Sequence, residues 1–152
     1  MIWRMSEQVW FGDKPSVVED STTVRSIINV AHSIRKPYWE NVGSLSWDIW
    51  YFKMACPDRV CPDELYLKAF VQIVEAVKIG GRFPLLCHCR VGGHRGPTAA
   101  VFAYWVLSGR KRDMLKVAID MADRLRSGFS RPSNKRVYRN AVLDFCDRNS
   151  VV

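Results

Sequence analysis

The sequence predicts an α/β fold: a single domain over residues 1–152, with a central, mostly parallel (mixed) twisted sheet of about four to five strands flanked by helices. Three observations indicate this class. The 152 residues, 48% of them hydrophobic, are enough for one sizeable core. Short apolar runs typical of buried strands alternate with amphipathic helical patterns. Residues 83–100 combine an apolar run, a glycine-bearing loop and a helix-forming run.

The first half of the chain predicts three short strands. Residues 9–12 form an apolar run that ends at a glycine and a turn, residues 26–31 are β-branched and apolar, and residues 50–54 are mostly aromatic. Residues 17–24 fit a short helix between the first two strands. Residues 32–48, rich in Trp, Tyr and Pro, predict an irregular segment along the sheet edge.

The second half predicts the remaining strand and four helices. Apolar residues recur at helical spacing over residues 63–79, and a glycine pair ends that helix. Residues 83–87 are typical of a buried central strand, and residues 99–107 are apolar on nearly every side, as in a helix buried against a sheet. Helical spacing returns over residues 114–125 and 137–145.

The loop between the last predicted strand and the buried helix has the pattern Cys-x5-Arg, from Cys89 to Arg95. Residues curled at a helix N-terminus can aim successive backbone N–H groups at one point, and this cup of partial positive charge suits a tetrahedral dianion. The same field favours the thiolate of Cys89, which is the nucleophilic form. Arg95 carries a planar fork that binds two phosphate oxygens. The residues predicted to bind the phosphate are Arg90, Val91, Gly92, Gly93, His94 and Arg95.

Two runs of residues at this loop resemble a known family. His88-Cys89-x-x-Gly92-x-x-Arg95 resembles the signature of the cysteine-dependent protein phosphatases, and Arg95-Gly96-Pro97-Thr98 is similar to the Arg-Ser-Pro-Thr run of the dual-specificity phosphatases. The resemblance implies hydrolysis of phosphomonoesters, namely phosphotyrosine and also phosphoserine or phosphothreonine in proteins, through a cysteinyl-phosphate intermediate. It implies no cofactor and no metal.

One position departs from the family pattern, because Gly96 stands where the family has Ser or Thr. In the family that hydroxyl assists the sulfur as leaving group when the phosphoenzyme is hydrolysed, so the second half-reaction is in doubt here. Thr98 carries a hydroxyl two residues later. His88 is expected to bury its ring and to hydrogen-bond the Cys89 backbone, a site-shaping role that the resemblance implies. Cys87 is either a core cysteine or the partner of Cys89 in a protective disulfide.

The segment before the first long helix contains Cys-Pro-Asp twice. Cleavage of a phosphate ester needs a proton donor for the leaving oxygen, and a carboxylic acid on a mobile loop over the phosphate supplies one. Asp58 lies 31 residues before Cys89, close to the separation of general acid and nucleophile in the dual-specificity phosphatases that the chain resembles. Asp58 is therefore the candidate acid. Asp63 is the alternative, although a carboxylate at a helix start has a sufficient structural role.

The chain has 23 basic and 15 acidic residues, and its net charge of +8 attracts anionic partners. The expected partner is a phosphorylated protein or another anionic phosphate substrate. Nucleic acid fits the charge but is not favoured, because few aromatic residues for base stacking stand among the late basic ones. Arg90 and His94 either favour a highly anionic substrate, such as a phosphoinositide, a 5′-phosphorylated RNA or a nucleotide, or belong to the solvated surface. The sequence predicts no oligomeric state.

Cysteine usage and the first residues bear on the compartment. Five cysteines without paired spacing indicate a reducing environment rather than a disulfide framework. The N-terminus lacks the apolar region of a signal peptide, and the longest apolar run, nine residues, is too short to span a bilayer. The expected location is the cytoplasm.

Two alternatives stay open. The same cup can bind phosphate without turnover, as in a pseudophosphatase, and Gly96 is the feature that favours this. Rhodanese-fold cell-cycle phosphatases and arsenate reductases share His-Cys-x5-Arg-Gly-Pro, so Gly96-Pro97 resembles them more closely than it resembles the dual-specificity enzymes. Their usual Asp-x-Arg and Gly-His-Ile segments are absent upstream in this sequence.

Overall fold

A computed structural model describes residues 2–12, 24–31, 49–57, 59–89 and 95–152. This part of the chain contains five strands, β1 (Ile2–Arg4), β2 (Val9–Gly12), β3 (Ser26–Asn29), β4 (Trp50–Lys53) and β5 (Leu85–His88), and four helices, α1 (Glu64–Gly80), α2 (Arg95–Leu107), α3 (Arg112–Leu125) and α4 (Val137–Asn149). Within the described ranges, no helix is long and apolar enough to cross a bilayer.

The five strands form one sheet in the order β1-β2-β5-β3-β4. β1 pairs antiparallel with β2, and the other three pairings are parallel. Cys87 of β5 lies opposite Phe11 on one side and Ile28 on the other. The predicted α/β class, with a mostly parallel mixed sheet flanked by helices, is confirmed.

β5 occupies the centre of the sheet because its residues suit burial on both faces. Successive side chains of a strand point to opposite faces. Leu85 and Cys87 join the larger core beneath the helices, whereas Leu86 packs with Trp10 and Ile27 in a smaller cluster on the other face. Apolar cover on both faces is typical of parallel strands.

α2 is buried against the sheet, as its apolar sequence predicts. Phe102 stacks on Phe70 of α1, with ring centroids 4.4 Å apart and planes 5° apart. The helix begins at Arg95 rather than at the predicted Ala99. Pro97 is compatible with this earlier start, because the first helical turn needs no amide donors.

The other boundaries differ from prediction by a few residues. The predicted strand over residues 83–87 is instead Leu85–His88, since Pro84 has no N–H for a ladder hydrogen bond. β1 was not predicted. The predicted helix over residues 17–24, apart from Val24, and the irregular segment over residues 32–48 lie outside the described residues.

Candidate active site

Cys89 follows β5 directly, at the edge where three parallel strands end side by side. His88, the last residue of β5, lies opposite Gly12 of β2 and Asn29 of β3. Cys89 belongs to the main core and is only 2% exposed. In open α/β sheets, ligands bind outside the carboxyl ends of the strands. The structure therefore places the candidate nucleophile where folds of this class bind their ligands.

The first turn of α2 lies against the Cys89 sulfur. A β-carbon built on Gly96 would be 3.5 Å from the Cys89 Sγ and 3.4 Å from the Gly12 carbonyl oxygen. The helix therefore begins beside the sulfur, and the partial positive charge of its N-terminus acts at short range.

Arg95 opens α2, and its guanidinium reaches the segment that follows β4. Its Nη1 donates a hydrogen bond of 2.8 Å to the Cys56 carbonyl oxygen. This bond joins the candidate phosphate-binding arginine to the backbone that leads to Asp58.

The Met54–Pro57 segment is held by backbone hydrogen bonds to the strand beside it. Met54 N donates to the Asn29 carbonyl oxygen (2.8 Å), and Cys56 N donates to the Val30 carbonyl oxygen (3.2 Å), so the pairing of β3 with β4 continues past both strands. The backbone is thus fixed shortly before Asp58. Asp58 itself lies outside the described residues.

Two tyrosines that the sequence analysis did not single out stand behind this segment. The Tyr66 hydroxyl oxygen is 2.7 Å from the Met54 carbonyl oxygen and 3.0 Å from the Tyr138 hydroxyl oxygen. Burial raises the pKa of both hydroxyls well above the ordinary tyrosine value, so both stay protonated. The sequence contains a signal for these two residues, because a tyrosine on the apolar face of a predicted helix needs a hydrogen-bond partner for its hydroxyl.

The remaining predicted residues have distinct positions. The His88 ring is fully buried, and its Nδ1 lies 3.4 Å from the Cys89 carbonyl oxygen. Thr98 is buried in α2. Asp63, the alternative acid, is the N-cap of α1, where its side chain accepts a hydrogen bond of 2.8 Å from Tyr66 N. The helix cap is thus a structural role for Asp63.

The rest of the predicted phosphate loop is Arg90, Val91, Gly92, Gly93 and His94, which lie outside the described residues. The described part of the site therefore consists of the end of β5 with Cys89, the first turn of α2 and the Met54–Pro57 segment. The structure brings the two ends of the Cys-x5-Arg pattern together with the segment that precedes Asp58.

All five cysteines of the chain lie in the described ranges, and each is a free thiol. Cys61 is exposed, and the other four are buried. Complete burial raises the pKa of the Cys87 thiol far above its usual range. Cys87 is thus a core cysteine in this structure, the first of the two roles considered for it.

Solved structures resemble this chain, although no protein-family model and no curated protein matches it. The active form of Tk-PTP has a TM-score of 0.69 at 17% identity, with 97% of each chain covered. Human DUSP28 has a TM-score of 0.66 at 15% identity, covering 97% of this chain and 93% of its own. PTPMT1 has a TM-score of 0.63 at 16% identity, covering 97% and 95% of the two chains.

These similarities extend over nearly the whole chain, so they concern the complete architecture and not the loop alone. They favour the dual-specificity fold over the rhodanese fold, which the Gly96-Pro97 pair had left open. The resemblance indicated by the Cys89 to Thr98 run is confirmed at the level of the fold. The chain has the fold of the dual-specificity and tyrosine phosphatases.

Proposed function

We propose that the chain is a cysteine-dependent protein tyrosine and dual-specificity phosphatase, a phosphoric monoester hydrolase. The observation that carries the proposal is the position of the first turn of α2 beside the Cys89 sulfur, at the sheet edge where such folds bind ligands. The hydrogen bond from Arg95 to the Cys56 carbonyl oxygen supports it, because it joins the phosphate-binding arginine to the segment before Asp58.

In the first proposed step, the Cys89 thiolate attacks phosphorus. The sulfur–phosphorus bond forms as the bond to the leaving oxygen breaks, and Asp58 gives that oxygen its proton. Arg95 and the backbone amides of residues 90–95 hold the three equatorial oxygens. His88, Gly96 and Thr98 shape the site around the sulfur.

In the second proposed step, Asp58 takes a proton from water as the water oxygen attacks phosphorus. The sulfur–phosphorus bond breaks, inorganic phosphate leaves, and the Cys89 thiolate is restored. The protonation state of Asp58 is restored at the same time. Besides the substrate, the two steps use only residues of the chain and one water molecule.

We propose phosphotyrosine, and also phosphoserine and phosphothreonine, in proteins as the substrates. The net charge of +8 supports an anionic partner of this kind. We further propose a cytoplasmic location. The five free cysteines support it, because thiols persist in a reducing compartment.

The nucleophile is tested by Cys89→Ser with p-nitrophenyl phosphate as substrate. Turnover is expected to fall by a factor on the order of 10³ or more, because a serine hydroxyl does not ionise near neutral pH. Release of the phenol measures the rate. Cys61→Ser, a change at the exposed cysteine, is the matched control and should keep the wild-type rate. Retained turnover in Cys89→Ser would refute the assignment.

Gly96 favours a second candidate, a phosphate-binding pseudophosphatase. No side-chain hydroxyl is present at Gly96 to assist the departure of the sulfur from the phosphoenzyme. Rapid-mixing kinetics separate the candidates. A burst of about one equivalent of phenol followed by negligible steady-state release indicates slow hydrolysis of the phosphoenzyme, and phosphopeptide binding without a burst indicates a pure binding module.

A non-protein substrate is the remaining alternative for the same chemistry. PTPMT1, one of the proteins of similar fold, has been solved in complex with PI(5)P. Phosphopeptides, phosphoinositides, 5′-phosphorylated RNA and nucleotides should therefore be compared, each with wild type and with Cys89→Ser. The highest kcat/KM is expected for phosphopeptides, and a higher value for another class would change the proposed substrate.

A further inference from the structure

Two tyrosine hydroxyls form a directed hydrogen-bond chain, which we call the tyrosine relay. It consists of Tyr138 on α4 and Tyr66 on α1. The Tyr66 hydroxyl lies 2.7 Å from the Met54 carbonyl oxygen, which can only accept, so Tyr66 donates its single proton there. The Tyr138 hydroxyl, 3.0 Å away, must then donate to the Tyr66 oxygen. The relay therefore runs from Tyr138 through Tyr66 to Met54.

The relay ends on the Met54–Pro57 segment, which is held from three directions. Backbone hydrogen bonds tie the segment to the residues at and after the end of β3. Arg95 of α2 donates to the Cys56 carbonyl oxygen. The relay adds the third support, from α1 and α4. Asp58 is the next residue along the chain, so the proton donor of the proposed reaction is attached to this supported backbone.

Tyr138 is buried and Tyr66 is partly buried, so water competes less for the hydrogen bonds of the relay than for exposed ones. Tyr138 is 1% exposed, and the two rings meet edge to face with centroids 6.0 Å apart. Their hydroxyls belong to residues 72 positions apart in the chain. Removal of one hydroxyl withdraws a hydrogen bond from a buried partner, which costs more than the loss of an exposed bond.

We propose that Tyr66 and Tyr138 are positioning residues, which hold the Met54–Pro57 backbone so that Asp58 delivers its proton to the leaving oxygen. This inference rests on the proposed phosphatase function. Tyr66 acts directly on the Met54 carbonyl, and Tyr138 acts through Tyr66. Neither tyrosine needs to touch the substrate.

The experiment compares two aryl phosphates that differ in their need for the acid. Phenyl phosphate has a poor leaving group, whereas p-nitrophenyl phosphate has a good one that departs with little protonation. Tyr66→Phe should lower kcat/KM, which reports the step that releases the leaving group, roughly tenfold on phenyl phosphate but by less than about twofold on p-nitrophenyl phosphate, because a positioned general acid contributes about 10²–10⁴-fold in total. Tyr138→Phe should give a smaller change in the same direction, since Tyr66 still donates to Met54.

Two further variants calibrate this measurement. Asp58→Ala shows the full leaving-group dependence expected when the acid is lost. Tyr104→Phe is the matched control, because Tyr104 lies near the C-terminal end of α2, at a shallow cavity lined also by Ser6 and Leu107. It should leave the ratio of the two rates unchanged. A smaller folded fraction lowers both rates by the same factor, so the ratio responds to the acid and not to stability.

Hydrogen exchange gives a readout that does not depend on activity. Tyr66→Phe should speed exchange of the Met54 and Cys56 amides, and Tyr104→Phe should not. An equal loss of rate on both substrates, or unchanged exchange in Tyr66→Phe, would overturn the positioning role. A wild-type protein that turns over neither substrate would instead contradict the proposed phosphatase, and the exchange data would still decide whether the relay holds the segment.

Discussion

Gly96 leaves the space beside the Cys89 sulfur without a side chain. The distances from its built β-carbon, 3.5 Å to the sulfur and 3.4 Å to the Gly12 carbonyl oxygen, are at or near ordinary van der Waals contact. One more carbon therefore fits with little adjustment. A serine at this position would carry its hydroxyl next to the sulfur, where, in the proposed reaction, it would donate a hydrogen bond to the departing thiolate.

Gly96→Ser is expected to raise the ratio of the steady-state rate to the burst rate by roughly tenfold, since a hydrogen bond to a charged group is worth about 1.5–3 kcal/mol. Rapid-mixing kinetics with p-nitrophenyl phosphate measure both phases. Gly96→Ala fills the same space without a hydroxyl and is the matched control. Equal effects of the two substitutions would show that the hydroxyl has no part in hydrolysis of the phosphoenzyme.

At this same scale, the sequence predicts the residues at the two ends of the loop but not the partners they find. Cys89 and Arg95 are predicted from their spacing and from the strand and helix on either side. The Cys56 carbonyl, which accepts a hydrogen bond from Arg95, belongs to a residue 39 positions away. Every residue has a backbone carbonyl, so the sequence does not show which one accepts this bond. The sequence indicates that each of Tyr66 and Tyr138 needs a partner but not that they pair, since only the fold brings the two hydroxyls together.

At the scale of elements, the end of α1 is fitted closely to the edge strand β4. Gly81 caps the helix in the left-handed conformation, with φ of 62°. Gly80, the last helical residue, packs closely against the Trp50 indole. A β-carbon at Gly80 would be only 2.6 Å from Cη2 and 2.9 Å from Cζ3 of this ring. The Arg82 guanidinium also stacks on this indole, 4.9 Å from the ring centroid. The indole therefore has little freedom to move.

Gly80→Ala should destabilise the protein by about 1–2 kcal/mol, because overpacking outweighs the usual gain of about 1 kcal/mol from replacing a helical glycine by alanine. Urea denaturation measures the free energy of unfolding. In a Trp50→Leu background the clash is absent, and the same substitution should be neutral or stabilising. The same destabilisation in both backgrounds would contradict the assigned contact.

Among the described elements, the sequence predicts every helix and strand except β1. The periodicity of α1 and the apolar character of β5 and α2 are strong local signals. β1 is only three residues long, from Ile2 to Arg4, and too short to show a period. Its pairing with β2 depends on contacts with the folded sheet, such as the stacking of Trp3 on Phe11 at 5.3 Å. A short stretch of sequence does not show such contacts with distant residues.

At the scale of the whole molecule, early and late parts of the chain pack together. The Arg126 guanidinium, just after α3, lies 5.1 Å from the Trp3 ring centroid on β1. The Trp105 indole N–H donates a hydrogen bond of 3.0 Å to the Ser150 hydroxyl, just after α4. These contacts make the first strand and the end of the last helix part of one structure, as expected if residues 1–152 form a single domain.

Residues 1–152 are therefore expected to unfold in one cooperative transition, because each contact across the molecule depends on the same core. Differential scanning calorimetry measures this, and the calorimetric enthalpy should equal the van't Hoff enthalpy. The Cys61→Ser variant, altered at the surface, should behave identically and controls for thiol oxidation during heating. Two separate transitions would contradict the single-domain prediction.

The exposure of Cys61 affects how the chain is studied with thiol reagents. Electrophilic probes aimed at Cys89 also encounter Cys61 on the surface, three residues after Asp58. Activity-based labelling is thus best interpreted in a Cys61→Ser background, which removes the exposed thiol. In the converse design, Cys61 offers an exposed thiol for attaching a fluorophore close to the start of α1.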